Sequence, residues 1–308
     1  MDRQDRAEGA LLGLACGDAL GRPVEFRSPE AIKAEHGTLT EMVGNGTYDK
    51  PAGTITDDTE QALCIARSLV ERGEFDAEDI AERFVAWYNG GPFDIGLMTA
   101  DALRRIDNGV AWDVAGRETW GERAEGSNAG NGSVMRCAPL AIAFANDPET
   151  LQRVSRDSSR ITHADPRCMH GCAALNLTIA ALLDGDEQPL ATALGALNPD
   201  APDSLVETLE PVPGDIDPDG LQNSGFVLHT LQTALYHALT ADSAESAIVS
   251  AVNEGGDTDT IGAVTGAVAG ARFGMSALPE RWLEVLQTAD ELRALAQELN
   301  TLEYDIAR

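Results

Sequence analysis

Two segments of this 308-residue chain carry glycine at every fourth position. The first set is Gly13, Gly17 and Gly21, and the second is residues 262, 266 and 270. Apolar residues with a period near 3.6 predict a helix over residues 5–20. Because glycine costs a helix about 1 kcal/mol relative to alanine, a repeated glycine stripe requires a packing reason. We therefore predict that the two glycine-striped helices lie against each other in the core.

Two acidic segments each combine two aspartates with two threonines, and each precedes an apolar helix. They are Thr56-Asp57-Asp58-Thr59 and Asp257-Thr258-Asp259-Thr260. Either segment alone is typical of a helix cap. Neither has a close lysine or arginine neighbour, so their carboxylates would repel one another if the fold brought them together. Mg²⁺ and Mn²⁺ prefer such carboxylate and hydroxyl oxygens, and two similar segments favour one shared metal site over two caps.

The formal net charge of -29 excludes a nucleic-acid backbone as an electrostatically driven partner. The chain contains only two lysines, Lys33 and Lys50, and such an acidic, lysine-poor composition is similar to that of proteins from salt-loving organisms. The sequence contains no stretch of about 18 apolar residues, so we expect no membrane span. The N-terminus lacks a signal-peptide core, so we expect a cytoplasmic protein. The sequence does not determine the oligomeric state, although a monomer is favoured.

Helix signals are frequent and strand-like alternation is scarce, which predicts one all-α domain over residues 1–308. Residues from about 184 to 222 are acidic and contain prolines, and we interpret them as a surface excursion within that domain. Asp76 and Asp165 are predicted helix caps, the latter followed by proline at the first helical position. Capping boxes are possible for Asp57 with Glu60 and for Asp242 with Glu245.

Several polar residues lie in loops beside helix ends, where binding and catalytic groups are common. Glu25 follows the first helix, and Asp94 follows a glycine-proline break. Either carboxylate is also explained as an ordinary solvated or capping residue. Residues 127–136 form a glycine-rich loop that fits neither a Walker loop nor a dinucleotide fingerprint, but small residues and helix-end amides suit phosphate. His163 lies at a helix mouth, where ligand contact and a structural role are equally compatible with the sequence.

Taken together, these motifs resemble those of the ADP-ribosylglycohydrolase family, and they follow the expected order over nearly the whole chain. The matching segments are 13–26 (GLACGDALGRPVEF), 53–63 (GTITDDTEQAL), 93–96 (FDIG), 130–140 (GNGSVMRCAPL), 162–163 (TH), 225–235 (GFVLHTLQTAL) and 255–266 (GGDTDTIGAVTG).

The resemblance implies a compact, single-domain orthogonal helical bundle with two Mg²⁺ or Mn²⁺ ions at the base of a cleft. It implies that Glu25 and Asp94 are catalytic carboxylates near the substrate ribose. The implied metal ligands are Thr56, Asp57, Asp58, Asp257, Asp259 and Thr260. The implied contacts to the ribose, diphosphate and adenine are Asn128, Gly130, Asn131, Gly132, Ser133, Met135 and His163.

The implied activity is metal-dependent hydrolysis of the glycosidic bond between ADP-ribose and an acceptor, which is a protein side chain or a small molecule. Two close metal ions suit this reaction because they can orient ribose hydroxyls and activate water. Two alternatives stay open. One is a non-catalytic ADP-ribose-binding or structural protein on the same scaffold, and the other is a metal-dependent phosphohydrolase. Retention of Asp57, Asp259 and Glu25 argues against the non-catalytic alternative.

Overall fold

A computed structural model describes residues 1–302. Within this range the chain forms sixteen α-helices joined by loops and short 3₁₀ turns. The first eight are α1 (Arg3–Gly21), α2 (Pro29–His36), α3 (Asp57–Arg72), α4 (Ala77–Asn89), α5 (Leu97–Asp107), α6 (Trp112–Gly121), α7 (Ala138–Phe144) and α8 (Pro148–Arg160). The second eight are α9 (Pro166–Leu183), α10 (Pro189–Ala196), α11 (Asp203–Leu209), α12 (Val227–Thr240), α13 (Ala244–Asn253), α14 (Thr258–Phe273), α15 (Glu280–Val285) and α16 (Ala289–Thr301).

No strand occurs among residues 1–302, where β pairing is limited to two isolated bridges, Asn45 with Lys50 and Gly130 with Phe226. The predicted all-α class is therefore confirmed. None of the helices in this range is long and apolar enough to cross a membrane. The helices pack around a continuous hydrophobic core that includes Leu205 and Leu209 of α11, so the acidic segment around residue 200 also contributes apolar side chains.

The predicted contact between the glycine-striped helices is confirmed, because α1 and α14 pack against each other over most of their lengths. A Cβ atom added to Gly13 would lie 2.1 Å from the carbonyl oxygen of Gly266, and one added to Gly266 would lie 1.9 Å from that of Gly13. Real Cβ atoms do not approach backbone atoms so closely, so only glycine fits here. We call this contact the glycine seam; its residues are 9, 13, 17, 21, 262, 266 and 270.

The glycine seam is antiparallel, since Gly9 faces Gly270 whereas Gly21 faces Thr258. The C-terminal end of α1 therefore meets the N-terminal end of α14. Two backbone hydrogen bonds join the segments just beyond this end, from Phe26 N to Gly256 O at 2.7 Å and from Gly256 N to Arg27 O at 2.9 Å. This arrangement brings Glu25 close to the second acidic segment.

The loop that leads to α3 is organised by Arg22, whose side chain is fully buried. Its guanidinium donates hydrogen bonds to five backbone carbonyl oxygens of this loop. The acceptors are those of Asn45 at 3.0 Å, Pro51 and Thr54 at 3.2 Å, and Val43 and Lys50 at 3.4 Å. One cation thereby fixes an irregular segment and determines how the chain enters α3.

The predicted caps have mixed outcomes. Asp76 and Asp165 cap α4 and α9 as predicted, and each accepts a hydrogen bond from a backbone N–H of its helix. The capping box of α13 was placed one residue too early, because Ser243 and Ser246 form it instead of Asp242 and Glu245. Serine satisfies the same geometry because its hydroxyl can both donate and accept a hydrogen bond.

Candidate active site

The first acidic segment begins α3, and Thr56 is its N-cap through a hydrogen bond from Asp58 N to Thr56 Oγ1. The expected capping box of Asp57 with Glu60 does not form. The Glu60 carboxylate instead accepts a hydrogen bond from Trp87 Nε1 at 2.6 Å, a partner supplied by α4. Asp57 is thus not used as a cap and remains at the helix entrance.

The two acidic segments meet beyond the end of the glycine seam. Thr260 Oγ1 lies 3.5 Å from Asp58 Oδ2, which links the start of α14 to the start of α3. Carboxylate oxygens of Glu25, Asp94 and Asp259 also lie within 4.8 Å of one another. We call the six convergent carboxylates the acid cluster; they belong to Glu25, Asp57, Asp58, Asp94, Asp257 and Asp259.

Burial and mutual repulsion dominate the electrostatics of the acid cluster. Burial, reinforced by neighbouring carboxylates, raises the pKa of Asp57, Asp58 and Asp259 well above the ordinary value. Burial, together with the charges of Asp94 and Asp257, raises the pKa of Glu25 to about 8. These residues therefore bind protons, or a cation, more readily than exposed carboxylates do.

Five carboxylates of the acid cluster line a cavity of about 580 Å³, a volume within the ordinary range for small-molecule sites. Of the residues predicted for the site, eleven line this cavity: Glu25, Asp57, Asp94, Gly130, Asn131, Gly132, Met135, His163, Asp257, Asp259 and Thr260. Four others do not reach its surface: Thr56, Asp58, Asn128 and Ser133.

These four residues have partners behind the cavity wall. Thr56 donates to Asp18, and its hydroxyl also lies 3.2 Å from Asp58 Oδ2. Ser133 Oγ accepts a hydrogen bond from Ser159 Oγ at 2.9 Å, and Asn128 Oδ1 accepts one from Arg167 at 3.4 Å. The positions of Ser133 and Asn128 suit support of the wall more directly than contact with a substrate.

The glycine-rich loop is attached to both α12 and the acid cluster through Asn131. Its side-chain amide donates to Asp257 Oδ2 at 2.8 Å and to Thr230 Oγ1 at 2.9 Å. Its backbone N–H donates to Gly225 O at 3.0 Å. The expected phosphate site at a helix N-terminus is not supported, because α7 begins only at Ala138 and does not line the cavity.

His163 lies opposite the glycines of this loop. A Cβ atom added to Gly132 would lie 2.8 Å from Cε1 of the imidazole, so glycine is required to accommodate the ring. Burial, with a smaller effect of nearby Arg136, lowers the pKa of His163 to about 3, and the ring is neutral at physiological pH. A neutral ring here can contact ligand without adding charge.

Sequence reasoning missed Asp18, a fully buried carboxylate of α1 that supports the entrance of α3. It accepts hydrogen bonds from the backbone N–H groups of Thr56 and Thr59 at 3.0 and 3.2 Å, and from both hydroxyls. Burial, partly offset by these bonds, raises its pKa to about 6. The available signal was an aspartate placed between two stripe glycines, Gly17 and Gly21.

Three further residues near the cavity were also missed. Phe26 lies at its rim with 71% of its surface exposed and a left-handed φ of 64°, an uncommon conformation for a bulky side chain. Arg123 lines the cavity and forms an ion pair with Asp101 at 2.6 Å. The Tyr48 hydroxyl lies close to Glu25 and Asp94, and its interaction with each carboxyl opposes the rise in its pKa.

The donor set of the acid cluster fits a hard divalent cation. All of its ligand atoms are oxygens, which Mg²⁺ and Mn²⁺ prefer. Two buried oxygens, Glu25 Oε2 and Asp58 Oδ1, have no hydrogen-bond partner within residues 1–302. Such buried oxygens are costly unless a proton or a cation compensates them. Among residues 1–302, the three carboxylates whose oxygens all lie within 4.8 Å of one another are Glu25, Asp94 and Asp259, of which only Asp259 is a predicted ligand.

Comparison with known proteins identifies relatives that match nearly the whole of this chain. A model of the ADP-ribosylglycohydrolase family matches residues 1–306. The chain is 35% identical to ADP-ribosyl-[dinitrogen reductase] glycohydrolase of Rhodospirillum rubrum, over 95% of this chain and 97% of that protein. It is also 35% identical to ADP-ribosylarginine hydrolase Tri1 of Pseudomonas putida, over 96% of this chain and 78% of that protein.

A solved structure is similar over the same extent. The chain matches a structure titled ADP-ribosylglycohydrolase-related protein complex with a TM-score of 0.79 and 35% sequence identity. The match covers 98% of this chain and 99% of the other. The similarity therefore extends over nearly the whole length of both chains.

Proposed function

Because the chain belongs to the ADP-ribosylglycohydrolase family, we propose that it hydrolyses the glycosidic bond between ADP-ribose and an acceptor. The observation that carries this proposal is the convergence of two distant acidic segments beneath a cavity also lined by Glu25 and Asp94. Cleavage at ribose builds positive charge on the anomeric carbon, and convergent carboxylates stabilise that charge.

We propose that the acid cluster holds divalent cations, Mg²⁺ or Mn²⁺, through Asp57, Asp58, Asp257 and Asp259 with the hydroxyls of Thr56 and Thr260. When bound, such ions orient ribose hydroxyls and lower the pKa of water. The fit of the donor set supports this assignment, because the like charges of the cluster require compensation. Thr56 and Asp58 lie behind the cavity surface, where their oxygens face the cluster rather than the substrate.

Glu25 and Asp94 have the proposed role of accepting a proton from the attacking water. Both line the cavity, and Glu25 has an oxygen without a partner among residues 1–302. The Tyr48 hydroxyl interacts with both side chains and, against the larger effect of burial, lowers the pKa of each. General base catalysis by a positioned carboxylate typically contributes a factor of about 100 to 10,000.

The remaining cavity wall has the proposed role of binding the ADP-ribosyl group. Arg123 supplies positive charge near the wall, and Asn131 and His163 supply polar contacts. Because Gly130 and Gly132 have no side chain, their backbone can approach the imidazole closely. We propose ADP-ribosyl-arginine as the first acceptor linkage to test, because the Pseudomonas putida relative is named an ADP-ribosylarginine hydrolase.

A substrate panel tests this function. ADP-ribosyl-arginine, ADP-ribosyl-serine and a simple phosphate ester are each incubated with Mg²⁺, with Mn²⁺ and with a chelator, and released ADP-ribose or phosphate is measured. We expect metal-dependent release of ADP-ribose and a loss of at least about 100-fold for Asp259→Ala, comparable to removal of a strong electrostatic contribution. Metal-independent release, or full activity of this variant, contradicts the proposal.

The panel also separates the alternatives. Release of phosphate from the simple ester without release of ADP-ribose would identify a phosphohydrolase. Binding of ADP-ribose without any hydrolysis would identify a binding protein. Asp147→Asn is a suitable control for Asp259→Ala, because Asp147 caps α8 outside the cavity and asparagine can retain the cap.

A further inference from the structure

We propose that Arg136 and Thr162 are positioning residues that hold the single ring proton of His163 on Nε2, so that this nitrogen donates a hydrogen bond into the cavity. The identity of the ligand rests on the proposed function. The position of the proton follows from the donors and acceptors of the chain itself.

Arg136 is the starting point, because it can donate hydrogen bonds but cannot accept them. Its side chain is fully buried, and its guanidinium lies 4.4 Å from the ring centroid of Phe84. Within residues 1–302 it forms no salt bridge with a carboxylate. A buried cation without a carboxylate partner is costly, so its hydrogen bonds to neutral side chains are the interactions that retain it.

Thr162 connects Arg136 to the histidine. Arg136 Nη2 donates to Thr162 Oγ1 at 2.7 Å, and the same oxygen lies 2.8 Å from His163 Nδ1. A hydroxyl has one proton to donate. Since the bond from Arg136 uses a lone pair of Thr162, the hydroxyl proton is free for His163 Nδ1. In this arrangement Nδ1 accepts and carries no proton.

The opposite tautomer leaves a donor without a partner. If Nδ1 carried the proton, both Arg136 and His163 would donate to Thr162 Oγ1. The buried hydroxyl would then have no acceptor within the described residues. The cost of an unsatisfied buried donor is enough to favour one tautomer by about fivefold or more.

The neutral ring has one N–H group, which this argument places on Nε2. Nε2 forms no hydrogen bond with any residue from 1 to 302, and it belongs to a side chain that lines the cavity. A Cβ atom added to Gly130 or Gly132 would lie 3.3 or 3.0 Å from Nε2 and would crowd it. Because both residues are glycine, no side chain blocks Nε2 on this side. His163 therefore presents a donor, and its partner is an acceptor atom of the ADP-ribosyl group.

A second series of hydrogen bonds links Arg136 to the acid cluster. Arg136 Nη1 donates to Gln61 Oε1, and Gln61 Nε2 donates to Asp57 Oδ2 at 3.3 Å. Because a guanidinium only donates and a carboxylate only accepts, the orientation of the Gln61 amide is also determined. One buried cation thus orients groups at two sides of the cavity, Asp57 and His163.

Nitrogen NMR of the free protein tests the proton position directly. The chain has five histidines, so selective ¹⁵N labelling gives few signals, and a His163→Gln variant assigns the relevant ring. At neutral pH we expect a pyridine-type shift for Nδ1 and a pyrrole-type shift for Nε2. A pyrrole-type Nδ1 in the wild-type protein would overturn the proposal, and this measurement requires neither a variant nor a ligand.

Conservative variants test the roles of Thr162 and Arg136. Thr162→Ser keeps the hydroxyl and is expected to keep the tautomer, whereas Thr162→Val and Arg136→Met are expected to yield a tautomer mixture. Thr178→Val is the matched control, because the Thr178 hydroxyl is equally buried but donates to Ala174 O within α9. An unchanged spectrum in a folded Thr162→Val protein contradicts the positioning role.

Affinity for ADP-ribose, measured by calorimetry, tests the consequence for binding. We expect Thr162→Val to bind about twofold more weakly than Thr162→Ser, since the Nε2 donor is present in only about half of an even tautomer mixture. Equal affinities would contradict a donor role for Nε2. Failure of the wild-type protein to bind ADP-ribose would refute the proposed function, while the NMR spectrum would still decide the position of the proton.

Discussion

The glycine seam and the acid cluster are adjacent, yet the residues of the seam favour the contact that they make and those of the cluster oppose it. In the seam, each close backbone approach is made at a glycine, which permits it because glycine has no Cβ atom, and the contact contains no charge. In the acid cluster, buried carboxylates face one another and two of their oxygens have no partner within residues 1–302. The seam is a structure that packing alone explains, whereas the cluster is unfavourable without a proton or a cation.

The backbone shows the same contrast. Gly255 and Gly256 have positive φ angles of 72° and 76°, as expected for glycine, but Phe26 beside them adopts a φ of 64° with an exposed ring. A bulky residue in this region is strained, and such strain is concentrated at functional sites. At Phe26 the chain departs from its usual backbone preference at a position that lines the cavity.

The largest expected effect is loss of the seam. In Gly266→Ala, the new Cβ atom would lie 1.9 Å from Gly13 O, and no rotamer change can relieve a contact between backbone atoms. We expect the free energy of unfolding in urea to fall by at least about 3 kcal/mol. Gly195→Ala is the control, because it also lies in a helix but nothing lies within 4 Å of an added Cβ. A loss there similar to that of Gly266→Ala would contradict the packing explanation.

The next effect is a pH-dependent stability of the metal-free protein. The pKa of Glu25 is raised to about 8 in the folded state, against about 4.3 in an unfolded chain. Between these two pKa values the folded state keeps the proton on Glu25, whereas the unfolded chain releases it. The contribution of this proton to stability is therefore fully present below the unfolded pKa and is lost as the pH rises through the folded pKa. We expect a decrease of about 1.4 kcal/mol per pH unit for each excess proton, measured by urea unfolding in chelator between pH 5 and 8.

Two variants and added Mg²⁺ sharpen this experiment. Asp259→Asn is expected to reduce the slope, because the pKa of Asp259 is raised in the same direction by burial and by Asp58. Asp147→Asn is expected to leave the slope unchanged, because hydrogen bonds lower the pKa of Asp147 and place its titration below this range. Mg²⁺ should flatten the profile; a steep profile in saturating Mg²⁺ would argue against a cation at the acid cluster.

The smallest expected effect comes from Phe26→Gly. Glycine adopts the left-handed region without strain, and little packing is lost from a ring with 71% of its surface exposed. We expect a gain in unfolding free energy of up to about 1 kcal/mol, together with a higher KM for the ADP-ribosylated substrate. Asn45→Gly is the control, since Asn45 also has a positive φ of 63° but does not line the cavity. An unchanged KM for Phe26→Gly would remove Phe26 from the substrate contacts.

Features that depend on neighbouring residues of the sequence could be predicted, whereas features that depend on contacts with distant residues could not. The glycine stripes predicted the α1–α14 contact because each stripe is visible within one helix. Asp165 was identified as a cap because Pro166 follows it directly. Glu60 was misjudged because its partner, Trp87, comes from another helix. Asp18 was overlooked for the same reason, since its role appears only when Thr56 and Thr59 are folded against it.

The position of the acid cluster was predictable in part, but its detailed membership was not. Two Asp-Thr segments indicated that carboxylates converge. Which oxygens lie close enough to share an ion depends on the loops that carry Glu25 and Asp94. Arg136 gave no sequence signal at all, because a buried arginine and an exposed one look alike in a single sequence.

Arg22 has a consequence for how this protein can diverge. Its guanidinium binds the loop that precedes α3 only through main-chain carbonyl oxygens, which every amino acid has. Other contacts restrict three residues of that loop: Gly46 and Gly53, where an added Cβ atom would lie 2.2 Å from a backbone oxygen, and Tyr48, which interacts with Glu25 and Asp94. The remaining side chains are free of these constraints and can change during evolution while the approach to Thr56 keeps its shape.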